Sequence, residues 1–333
     1  MKTSCLTLLA VAILAIALPA RAHHGVATVS VAGPEGPGAA LETTSALPLP
    51  QGTLFAMVKS EYVPFRQYGF AEPENKSFSS FSMLGVGYGV TPWLSVYAFQ
   101  PFTVKSQDTV GRNSGIGDPT LLLALGFKYD RGLRLVPEKE SLDDLMDWHF
   151  SAWASSTIPV GSTTSRDSRG DYFEPEMQTG FGTPSPAVGF AVLKQVTERL
   201  TWLADASHQR FFAHDYPATR YRFGAETRVG TAVVYQIVGS GALRADVAAE
   251  LSGLDLRRDR ERNEEGAMEP LRSSGGSILY AGAGVRISRG PLSLAFGARR
   301  AALKDLNEAA GQQGSEGLEN VRATATLSWS KAL

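Results

Sequence analysis

From Tyr221 to Ser252 the chain alternates apolar and polar residues with a period of two, and few folds can use that pattern for so long. Tyr221, Phe223, Ala225, Thr227, Val229, Thr231, Val233 and Tyr235 fall on one face, against Arg222, Gly224, Glu226, Arg228 and Gly230 on the other. Leu243, Ala245, Val247, Ala249 and Leu251 then oppose Arg244, Asp246, Ala248, Glu250 and Ser252. A strand sends successive side chains to opposite faces, whereas a helix would scatter both sets around its axis. Leu200, Trp202, Ala204 and Ala206 repeat the phase, as do Ala323, Ala325, Leu327 and Trp329. Weaker alternation over 52–62, 80–90, 93–103, 119–129, 148–158, 186–195, 277–287 and 291–300 brings the expectation to about twelve strands. Most are near the 9–11 residues that a tilted strand needs to cross a bilayer.

The connections are sorted by length. Short ones fall at Thr91-Pro92, Thr197-Glu198, Val238-Gly239-Ser240 and Ser288-Arg289-Gly290. Long polar ones fall at 63–79, 104–118, 160–185, 212–220, 254–276 and 301–318, and only 130–147 is oversized on the short side. Short turns at one end and long loops at the other are the mark of an outer-membrane barrel. In hydrocarbon such a sheet must close, because each unpaired backbone group costs several kcal/mol. The expected fold is therefore all-β: an antiparallel transmembrane β-barrel of about twelve strands over 52–333, with short periplasmic turns and long external loops.

Two segments precede it. Residues 1–22 read as a signal peptide: Lys2, an apolar run from Cys5 to Leu18, then Ala20-Arg21-Ala22 at the cleavage site. Residues 23–51, dense in glycine and proline, oppose helix and sheet alike and read as a periplasmic lead or a plug within the barrel. The implied location is the outer membrane of a Gram-negative bacterium, with membrane lipid and the barrel assembly machinery as partners. A net charge of −1 gives no basic excess for nucleic acid.

The polar face of the clearest strands supplies the candidate lumen lining: Asp205, Arg222, Glu226, Arg228, Arg244, Asp246 and Glu250. Opposite charges on neighbouring strands are expected to satisfy one another in a cross-strand ladder. A mature N-terminus at His23-His24 is a candidate copper ligand, since imidazole suits that metal; no other cofactor is implied. Asp205, Ser207 and His208 have the residue types of a hydrolase, but alternation turns Ser207 and His208 to opposite faces. Asp143, Asp144 and Asp147 lack the glycine and spacing of a calcium loop.

Gly85-Val86-Gly87-Tyr88-Gly89-Val90-Thr91-Pro92-Trp93-Leu94-Ser95-Val96, followed by Gly115-Ile116-Gly117-Asp118-Pro119, resembles the outer-membrane proteins associated with the meta-pathway of phenol degradation, described as candidate transporters. The resemblance implies a barrel concerned with uptake of small apolar or aromatic compounds, and brings no catalytic set. The working expectation is a non-enzymatic channel for such solutes. The alternatives are a non-transporting scaffold that holds metal or a partner at its periplasmic end and, behind it, an outer-membrane hydrolase.

Overall fold

The computed structural model describes residues 40–65, 76–107, 110–138, 146–240, 243–272, 274–307 and 319–333. The proposed signal peptide, His23, His24, Asp143 and Asp144 lie outside them. Twelve antiparallel strands form a closed barrel. In chain order they are β1 (Thr53–Pro64), β2 (Lys76–Thr91), β3 (Leu94–Gln107), β4 (Thr120–Tyr129), β5 (Trp148–Thr157) and β6 (Pro186–Gln195). They continue as β7 (Leu200–Gln209), β8 (Glu226–Ser240), β9 (Leu243–Leu256), β10 (Gly276–Arg289), β11 (Leu292–Leu306) and β12 (Arg322–Ala332). Each strand pairs with its neighbours in sequence, and β12 returns to β1 with Ala332 opposite Thr53 and Ala323 opposite Tyr62. No sheet edge is left open in the wall, as a lipid setting requires.

The outward phase is apolar. Val58, Leu84, Val86, Leu121, Leu123, Val188, Phe190, Val229, Val233, Leu251, Ile287, Phe296 and Leu327 all stand exposed on it. At the short-turn end the outward positions become aromatic: Tyr88, Tyr129, Trp148, Trp202, Tyr235 and Trp329. Trp148 meets Trp202 edge to face at 6.0 Å and carries the Lys194 ammonium 5.5 Å above its ring. Aromatic rings with a polar edge favour the headgroup level, so this belt marks one membrane interface. Trp329 serves it from within β12, three residues before the strand ends.

Two expectations need correction. The alternation from Tyr221 is not one strand, because β8 begins at Glu226. At Gly224 the chain leaves the wall: its amide donates to Asp259 (2.7 Å), and a Cβ there would lie 1.8 Å from the Arg257 carbonyl oxygen. Tyr221 and Phe223 consequently face no lipid, and pack with Phe211 and Tyr216 in a buried cluster above the rim. Second, Val238, Gly239 and Ser240 belong to β8, whose register shifts between Gln236 and Val238.

Several of the long loops are built structures among the described residues. His214–Asp215, Arg220–Arg222, Arg260–Arg262 and Met268–Pro270 form a four-stranded sheet over the external rim. The segment Gly111–Ile116 folds back along β3, and the Gly115–Pro119 motif turns it into β4. Of the early glycines, Gly87 allows a close approach: a Cβ would stand 2.4 Å from the Tyr97 ring.

Candidate functional site

Residues 40–50 lie within the lumen. Ala40, Leu41, Ala46 and Leu49 are buried, packed between facing walls of the barrel. On one side Leu49 enters a cluster with Phe55, Met57, Met83, Tyr97, Phe99 and Leu122, contributed by β1 to β4. Across the lumen, Ala40 and Ala46 pack against Ala191, Leu193, Leu203, Ala232 and Val234 of β6 to β8. Filling a bundle of apolar inward residues with apolar chain removes them from water, at about 1.5–3 kcal/mol per large side chain. Inward glycines leave the space. A Cβ on Gly284 would lie 2.2 Å from the Leu41 methyl, and one on Gly297 would lie 2.5 Å from it.

The remaining wall, β9 to β12 with β1, holds the segment by polar contacts. Glu250 accepts the backbone amides of Leu41, Glu42 (3.0 Å) and Thr43 (3.2 Å) on one carboxylate. Arg286 donates to the Ala40 carbonyl at 3.0 Å, and outside this wall Ser95 of β3 accepts from the Leu49 amide at 2.9 Å. Glu42 in turn meets Lys59 at 3.0 Å, the Thr324 hydroxyl at 3.2 Å and Arg299 at 3.9 Å. Lys59 also pairs with Glu61 (3.0 Å), which lies 3.7 Å from Arg322. These charges are nearly inaccessible to water, so their satisfaction depends on one another.

Of the candidate lumen residues, Asp205, Glu226, Arg228, Arg244, Asp246 and Glu250 point into the barrel, and Arg222 does not. Arg222 sits in the external sheet, carried off the wall by the break at Gly224. The cross-strand ladder is also corrected. Antiparallel register sets Glu226 opposite Leu256 and Arg228 opposite Leu254, while Asp246 faces Gln236. The two charge sets therefore sit near opposite ends of the wall, and each pairs along its own strand: Arg228 with Glu226 at 2.8 Å, Arg244 with Asp246 at 2.7 Å. Lys59, Glu61, Arg286, Arg299 and Arg322 are inward charges that sequence reasoning missed. Their inward phase was readable from 52–62 and its counterparts, where serine, alanine and glycine weaken the alternation.

A cavity of about 60 Å³ remains beside the lumen segment, lined by Thr44, Trp153, Asp205, Ser207, Glu226 and Arg228 among others. Asp205 accepts from the backbone and hydroxyl of Thr44 across it. Ser207 faces this cavity, whereas His208 is on the outer face with its ring nitrogen 2.9 Å from Thr227. Asp147 pairs with the buried Lys128 at 3.0 Å.

The external mouth is narrowed by the loop between β5 and β6. Its single 3-10 turn, Pro175–Met177, is buried inside the rim, where Lys105 donates to the carbonyls of Glu176 (2.7 Å) and Gln178 (2.6 Å). Asn113 donates to Met177 at 2.7 Å. Asp118, from the Gly115–Pro119 motif, binds both arms of the loop, accepting from Gly161 and Phe181 at 2.7 Å each. Burial raises its carboxyl above the usual range, while the amides of Phe181, Gly161 and Val160 pull it back. Asp118→Ala removes both acceptor contacts and leaves two amides unpaired, a loss of about 2–4 kcal/mol to loop docking. Trypsin cleavage at the exposed Arg166 and Arg169 is expected to accelerate at least tenfold, with the barrel still resisting SDS unfolding; unchanged cleavage refutes the anchoring role.

No family model matches the chain, and no curated protein matches it in sequence. Among solved structures it is similar to an outer membrane channel from Pseudomonas putida F1, at a TM-score of 0.62 and 15% identity, covering 88% of this chain and 100% of the other. A more distant likeness is to the Pseudomonas putida toluene transporter TodX, at a TM-score of 0.44 and 12% identity, covering 95% of this chain and 98% of that one. The fold of this chain is that of an outer-membrane β-barrel.

Proposed function

We propose that the protein is a channel of the Gram-negative outer membrane that passes small apolar or aromatic solutes, with residues 40–50 as a displaceable plug. The observation that carries this reading is the strip of Phe55, Met57, Met83, Tyr97, Phe99 and Leu122 along one inner wall. Lumen walls of water-filled barrels are polar. An apolar wall inside one offers a benzene-like solute a surface to follow, and Leu49 occupies it in the closed state. An apolar cavity of about 150 Å³ holds benzene, well above the 60 Å³ left beside the plug, so passage requires the segment to move.

Planar-bilayer recordings test this on the mature chain and on a form lacking residues 40–50. The deleted form is expected to conduct ions steadily, and added phenol to interrupt that current in proportion to its concentration while a hexose does not. Tyr97→Ala with Phe99→Ala is expected to weaken the phenol effect about tenfold. If neither form conducts although both are folded, the channel reading fails and a scaffold remains. If the deleted form conducts but responds equally to phenol and hexose, the preference for aromatic solutes fails.

A further inference from the structure

The external rim carries a basin of about 600 Å³. Five arginines from three segments line it: Arg210 after β7, Arg222 in the small external sheet, and Arg257, Arg258 and Arg260 after β9. Its wall has only two carboxylates, Asp255 and Asp305. Asp255 is engaged already, accepting from Ser277 at 2.9 Å and lying 3.8 Å from Arg257. Arg258 donates to Asn307 at 3.3 Å.

The other three cations are left over. Arg222 stands directly opposite Arg260 in the sheet register, and among the described residues neither these two nor Arg210 has an ion-pair partner. Like charges set opposite one another across a pair of strands destabilise it. Two residues along the same ladder the contrast is visible. There Arg220 and Arg262 share Asp215, at 3.0 Å and 2.9 Å. The fold thus neutralises one end of this ladder with its own carboxylate, while at the other end, which faces the basin, Arg222 and Arg260 pair with no carboxylate among the described residues, Asp305 of the basin wall included. Partial burial and the nearby charges of Arg260 and Arg210 together lower the basicity of the Arg222 guanidinium, as crowded cations must.

We propose that the basin is a binding site for a phosphate-type oxyanion, held between the guanidinium groups of Arg222 and Arg260 with Arg210 closing the third side. Planar guanidinium forks match phosphate oxygens two at a time, and an anion there would turn the repulsion between opposing arginines into two sets of charge-assisted hydrogen bonds. Asp255 and Ser277 project from the outer face of their strands, so the basin opens beside the barrel wall as well as toward bulk water. A phosphorylated lipid headgroup and a free phosphate ester both offer the required chemistry.

The test uses the full mature barrel in nonionic detergent, in two arms. Equilibrium dialysis measures uptake of radiolabelled inorganic phosphate at low ionic strength. Native mass spectrometry measures retention of diphosphoryl lipid A against its dephosphorylated form. Saturable binding is expected in at least one arm, weakened tenfold or more by Arg222→Gln with Arg260→Gln and lost at high salt. Arg220→Gln, whose partner is Asp215, should change it less than twofold. Phosphate uptake assigns the site to free ligands; retention of diphosphoryl lipid A alone assigns it to the headgroup. Failure of both arms, or equal affinity in the double variant, overturns the proposal. Should the double variant lose its SDS-resistant folded band, Arg210→Gln, outside the small sheet, carries the same comparison.

Discussion

Glu250→Ala is expected to open the barrel. One carboxylate holds three successive amides of the lumen segment, and alanine leaves all three donors without that acceptor. Charge-assisted hydrogen bonds contribute roughly 1.5–3 kcal/mol each. Because released amides regain water in an opened lumen, a net loss of about 3 kcal/mol is a conservative figure for the three together. At about 1.4 kcal/mol per factor of ten, the displaced state gains roughly a hundredfold in population. Single-channel recordings should therefore show frequent, long openings where the parent shows rare ones. Glu250→Gln keeps an acceptor oxygen without the charge and should fall between the two. If the alanine form opens no more often than the parent, Glu250 is not what holds the segment.

Lys59→Met is expected to produce the largest loss of stability. Its ammonium lies between Glu42 and Glu61, 3.0 Å from each, and is buried completely enough that water cannot replace it. Removing one partner from such a group strands the others, at a cost of about 3–5 kcal/mol. Arg322, 3.7 Å from Glu61, is too far to compensate fully. Urea unfolding of the folded barrel in lipid, followed by tryptophan fluorescence, reads the change. Adding Glu61→Gln to Lys59→Met should recover part of the loss, because one stranded anion is then neutral. A double variant no more stable than Lys59→Met alone would show that lost packing, and not stranded charge, accounts for the effect.

The strand order and the lipid-facing side were legible in the sequence because both depend on a local rule. In β7, β8, β9 and β12 the outward residues are mostly apolar and the inward ones mostly polar, so phase largely sets the face. The same rule misplaced Arg222. Alternation continues through Tyr221 and Arg222 because they form a strand too, but one of a small sheet with its own core, and periodicity cannot distinguish a wall from a roof. The inner aromatic strip stayed hidden for a different reason. Phe55, Tyr97 and Phe99 point inward against the polar-lumen rule, because Leu49 turns that part of the lumen into a packed core. A contact between residues some fifty positions apart leaves no trace in a local pattern. The charges of β10 and β11 were likewise obscured, since Gly284 and Gly297 make room for Leu41 where a stronger alternation would otherwise stand.

The joint between the first and last strands has a consequence for how the molecule is made. Glu42 is gripped by Lys59 on β1 and by Thr324 on β12, so its two holders come from opposite termini of the ribbon. The clasp is complete only when the final strand has been synthesised and has found the first. Zipping the cylinder shut therefore also adds the last hold on its stopper. A barrel closed in this way is corked from the moment it closes.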